Sequence, residues 1–118
     1  TGFINVSSPA LTAVDLCNYS KQVGGISAVA TILYELANEI VAVELLSIVN
    51  SYNNLVAIQR LGYLLEFLGY EQLVEALKYF FKDKKYFPAK LESSNNNITK
   101  VTGNFWKIIV NEKVEIDQ

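Results

Sequence analysis

The run LVAIQRLGYLLEFL, residues 55–68, constrains the fold more than any other stretch of the chain. At 100° per residue it sets Ala57, Ile58, Leu61, Leu64, Leu65 and Leu68 on one broad face. Only Gln59, Tyr63 and Glu66 are left as a narrow polar stripe. A helix with so little polar surface has to be covered on most sides, so it is expected at the centre with the other elements laid around it. Gly69 follows it, the residue type best able to take the left-handed backbone that ends a helix. The same run carries the only arginine of the chain, Arg60, between Val56, Leu64 and Phe67. A guanidinium in such company must reach water along its stem or find a buried acceptor. Asp15, set between Leu11 and Tyr19, has the matching oddity, and the two are expected to form a structural ion pair joining their helices, with a bidentate geometry lysine could not reproduce.

The remaining elements follow from spacing and punctuation. Residues 3–6 alternate as a half-buried strand does, and Ser8-Pro9 is a helix start, with Ser8 as N-cap and proline at the first helical position. Gly24-Gly25 reads as a tight turn. Beyond it Val29, Ile32, Leu33, Leu36 and Ile40 share one helical face, and a third helix runs to about Tyr52 with Glu44, Ser47 and Ser51 on its polar side. After the central helix, EQLVEALKYFFK has an apolar face of Leu73, Val74, Leu77, Phe80 and Phe81, with Glu71 early and Lys82 late, as the helix dipole favours. A short strand is expected over 86–91, an exposed loop over 93–97, a clear strand over 105–110, and one more through Val114 and Ile116. The expectation is a single α+β domain over 1–118: about five α-helices packed on a small antiparallel β-sheet, with Trp106 as a core anchor.

Composition narrows the chemistry. The chain has 118 residues, 51% of them hydrophobic, enough for a real core. It has no histidine and one cysteine, so the usual zinc sites, histidine triads and internal disulfides are closed to it, and a reducing compartment suits it. Its most apolar stretch, 26–49, is interrupted by Glu35, Asn38, Glu39 and Glu44 and is too polar to span a membrane. A net charge of −2 disfavours a free-standing nucleic-acid binder. The glycine pair lacks the lysine and spacing of a phosphate loop, and the carboxylate pairs Glu35/Glu39 and Glu71/Glu75 lie on solvated faces with nothing to separate their acidities. No catalytic motif, metal site or cofactor site emerges. The one concentration of positive charge is Lys78, Lys82, Lys84 and Lys85, a candidate contact for a partner or for nucleic acid.

The segments VSSPALTAVDL, KQVGGISAVATILYEL, QRLGYLLEFLG and FWKIIVNEKVE, in this order, resemble the C-terminal domain of AbiEi-type antitoxins of type IV toxin–antitoxin systems. The resemblance implies a prokaryotic, cytoplasmic, non-enzymatic effector domain from a longer protein. An N-terminal winged helix-turn-helix, absent from this chain, would bind the operator DNA. The functional partner would be a nucleotidyltransferase toxin, counteracted without a stable complex. The absence of an initiator methionine and the strand-like start agree with a fragment, and an exposed sheet edge would then permit self-association. The alternative is a protein–protein interaction module of a solitary transcriptional regulator, docking through the surface of the fifth helix. A nucleotide-modifying enzyme is a third possibility.

Overall fold

The computed structural model describes residues 8–92 and 103–116. Six helices dominate them: α1 (Pro9–Asn18), the single turn α2 (Ser20–Val23), α3 (Ile26–Leu36), α4 (Ala42–Ser51), α5 (Leu55–Leu68) and α6 (Glu71–Phe81). A 3-10 turn, Ala37–Glu39, follows α3. The Ser8 hydroxyl caps α1 by accepting from the Leu11 amide at 3.2 Å, and Asn54 caps α5 by accepting from the Ala57 amide at 3.2 Å. Gly69 takes the left-handed conformation that ends α5, φ 88°, and the Tyr70 amide reaches back to the Leu65 carbonyl at 3.0 Å.

The core confirms α5 as the hub. Ala57, Ile58, Leu61, Leu64 and Leu65 are buried, with α1 and α6 packed on them. α4 lies against α6 and α1, and α3 against α1. All five residues expected on the apolar face of α6 are buried. On α3, Val29 and Leu33 are buried, whereas Ile32, assigned by spacing to the same face, is exposed.

The expected sheet is corrected. The described residues hold only two strands, β1 (Ala89–Lys90) and β2 (Ile108–Ile109), each of two residues and paired in parallel, Ala89 with Ile108 and Lys90 with Ile109. The fold is therefore mostly helical, not helices packed on an antiparallel sheet. Local chemistry truncates both strands. The ladder donors are the amides of Ala89 and Leu91, and the Phe87 carbonyl, two residues before Ala89, is taken by Gln59 instead. Phe105 and Trp106 lie in a turn closed by the Lys107 amide on the Asn104 carbonyl at 3.2 Å, and Lys107 has left-handed backbone, φ 56°. Asn104 then brackets Ile108, accepting from its amide and donating to its carbonyl, each at 3.0 Å. Alternation of apolar residues over 105–110 thus marks a turn followed by a two-residue strand, with Trp106 and Ile108 buried, not a long strand. The expected strand over 3–6, its sheet edge and the loop over 93–97 lie outside the described residues.

Candidate functional site

The polar stripe of α5 faces the C-terminal segment. Gln59 is only 1% exposed, and its Nε2 donates to the carbonyls of Phe87 and Trp106, both at 2.8 Å. One turn along, Gly62 presents bare backbone to the Trp106 indole. A Cβ there would sit 2.3 Å from the ring. The indole N–H donates to Glu66 Oε1 at 2.7 Å, so one side of α5 fixes ring, edge and flanking backbone of Trp106 together. The expected core role of Trp106 holds, since it is fully buried.

Beside this contact opens a cleft of about 420 Å³ lined by Tyr63, Glu66, Phe67, Lys78, Asn104 and Phe105. Phe67 is 52% exposed and Phe105 39%. Lys78, half-buried, holds its Nζ 5.4 Å from the centroid of the Phe105 ring. Of the other candidate lysines, Lys82 and Lys84 line a separate hollow of about 190 Å³ with Leu46, Asn50 and Tyr79. Lys84 Nζ lies 4.7 Å from the Phe80 centroid, and Lys85 is exposed in the turn after α6. The four lysines do not converge on one point. Lys78 belongs to the cleft, the others to the end of α6.

Sequence reasoning missed a fifth lysine. Lys107 places Nζ 4.5 Å from the Tyr86 centroid and donates to the Tyr86 carbonyl at 3.1 Å. The Tyr86 and Phe105 rings lie 6.2 Å apart, and the Tyr86 hydroxyl donates to the Phe105 carbonyl at 2.8 Å. Burial pushes the Tyr63 and Tyr86 phenols up from their ordinary range, so both are neutral at physiological pH.

Arg60 and Asp15 take separate partners. Arg60 donates Nε to the Lys90 carbonyl at 2.9 Å, tying α5 to β1. Burial lowers the guanidinium's proton affinity, and the negative charge of Glu92 opposes that effect. Asp15 accepts from the Tyr52 hydroxyl at 2.6 Å, and that hydroxyl accepts from Asn18 Nδ2 at 3.0 Å. Asn18 in turn accepts from Asn54 at 2.5 Å, so the chain of polar contacts ends on the cap of α5. The expected Asp15–Arg60 pairing is not among these contacts.

Glu92, also missed, is 2% exposed and accepts from the Ile26 amide at 2.7 Å, placing a carboxylate at the N-terminus of α3. Asn111 fixes its backbone from both sides, at 2.9 Å each. Gly25 makes room for it: a Cβ there would lie 3.0 Å from Glu92 Oε1. Burial pushes the Cys17 thiol up to about 12, which keeps it protonated and unreactive at neutral pH. Among the described residues no three histidine, cysteine or acidic side chains gather as metal ligands, and no helix is long and apolar enough to cross a membrane.

Comparison with known families matches residues 1–67 to the AbiEi antitoxin C-terminal domain. Comparisons with curated proteins and with solved structures give no match. The matched region runs through α1 to α5 and includes Gln59, Arg60, Gly62 and Glu66, the residues that receive the C-terminal segment.

Proposed function

The chain belongs to the AbiEi antitoxin C-terminal domain family, and from that membership we propose that it is the effector domain of a prokaryotic antitoxin and transcriptional autoregulator working in the cytoplasm. In this reading it opposes a nucleotidyltransferase toxin in the type IV manner, without a stable complex and without catalysing a reaction. Operator DNA is held by a winged helix-turn-helix in another part of the protein. The observation that carries the reading is the family match over more than half of the chain.

Lys78, Lys82, Lys84 and Lys85 are the proposed contacts for a partner or nucleic acid. A solitary interaction module is the competing reading, favoured by the exposure of Tyr79 on α6 (66%) and of Phe87 (75%). Growth of cells in which a nucleotidyltransferase toxin from the same operon is induced, with and without the complete antitoxin, tests the first reading, which requires that operon to encode one. Restored growth is expected. A well-expressed antitoxin that fails to restore growth would leave the interaction module as the better account.

A further inference from the structure

We propose that the row Lys78, Phe105, Tyr86 and Lys107 is a track for a single-stranded nucleic-acid segment, the two lysines meeting phosphates and the cleft beside Phe105 receiving a base. The row is continuous. Lys78 Nζ lies 5.4 Å from the Phe105 centroid, the Phe105 and Tyr86 rings are 6.2 Å apart, and Lys107 Nζ lies 4.5 Å from the Tyr86 centroid. Planar rings interleaved with cations are what an unpaired strand requires, because every base offers a face for stacking and every nucleotide a charge. A duplex, whose bases are already stacked, gains nothing from the rings.

The cleft supplies the second half of the site. Its volume of about 420 Å³ suits a small planar group, and Phe67 and Phe105 both line it. Glu66 also lines it with one oxygen held by the Trp106 indole, and its carboxylate can accept from a base N–H, such as the N3–H of uracil or thymine. A base entering beside Phe105 displaces the Lys78 ammonium from the ring toward the adjoining phosphate. Lys107 adds a separate sign of function. It is the one described residue other than glycine with positive φ, 56°, a conformation lysine adopts at a cost and glycine adopts freely. An acidic peptide would use the lysines but not the ring faces, so the row favours a strand. Binding of a strand is independent of how the toxin is opposed.

The test is fluorescence anisotropy of this chain with labelled oligouridine RNA of about twelve nucleotides, oligothymidine of equal length, and a duplex, at several salt concentrations. Lys78→Gln and Lys107→Gly are each expected to weaken single-strand binding severalfold and to flatten its salt slope by about 0.7. Lys107→Gly keeps the fold because the backbone already suits glycine. Phe105→Leu is expected to weaken both single strands while leaving the salt slope in place, and Lys21→Gln, on α2, to change nothing. RNA bound more tightly than DNA indicates 2′-hydroxyl contacts, and equal binding indicates phosphates and stacking alone; either supports the track. It is overturned by no single-strand binding at low salt, by a folded Lys78→Gln/Lys107→Gly variant with unaltered slope, by a duplex bound as tightly as a strand, or by polyglutamate competing as well as RNA.

Discussion

Gly62 is the residue on which the second half of the chain depends. In a helix interior glycine costs stability relative to alanine, yet here the missing Cβ is where the Trp106 ring lies. Gly62→Ala is therefore expected to destabilise by about 1–3 kcal/mol despite its better helix propensity, because the indole must leave its place over α5 and its bond to Glu66. Urea unfolding followed by Trp106 fluorescence reads this directly, and a stabilised variant would refute the contact. Two buried or half-buried groups make the fold sensitive to alkali. The Cys17 thiol is raised by burial from 9.0 to about 12, and Tyr52 by burial and its bond to Asp15 from 10.0 to about 12. Both hold protons more tightly folded than unfolded, so their contribution is complete below the unfolded values and is lost as pH rises toward 12. Thermal unfolding is expected to shift to lower temperature above about pH 9, with Cys17→Ala flattening the first part of the decline. A melting temperature constant across that range would contradict it.

At the scale of elements, the helices were legible and their connections were not. Ser8, Pro9 and Gly69 act locally, so their cap roles can be read from neighbours in sequence. The apolar face of α6 is likewise a matter of spacing alone. Gln59 looked like a solvated residue because its partners, Phe87 and Trp106, lie 28 and 47 residues away. Glu92 is held to Ile26 across 66 residues, and no periodicity marks it. Strand length failed for a related reason. The alternation over 105–110 is real, but Asn104 and the left-handed Lys107 convert its first half into a turn. Of the candidate site, Lys78 could be found as part of a charge cluster, while Lys107 stands alone in sequence and joins Lys78 only through the rings of Phe105 and Tyr86. The one signal for the Trp106 seat was a glycine inside a helix that is otherwise large and apolar. Glu92→Ala is expected to cost about 1–3 kcal/mol and to speed amide exchange at Ile26, since that buried donor loses its acceptor. Glu92→Gln, which retains an acceptor oxygen, is expected to recover part of this. Unchanged exchange in the alanine variant would remove Glu92 from its role in starting α3.

Across the whole molecule, α5 connects the family-matched part to everything after it. Residues up to 67 carry the match, yet Leu73, Val74, Leu77, Phe81, Trp106 and Ile108 from beyond it belong to the same core cluster. Four residues of α5 serve that later half: Gln59 and Arg60 hold its backbone, Gly62 seats its tryptophan and Glu66 accepts from the indole N–H. This leaves the cleft, with Lys78 in its lining, on a surface built jointly by both halves. The central functional claim is that such a domain opposes its toxin without holding it. Its most direct measurement is size-exclusion chromatography of the co-expressed pair under conditions in which growth is restored. Separate elution of antitoxin and toxin, with growth restored, is the result predicted; co-elution as a stable stoichiometric complex would contradict it.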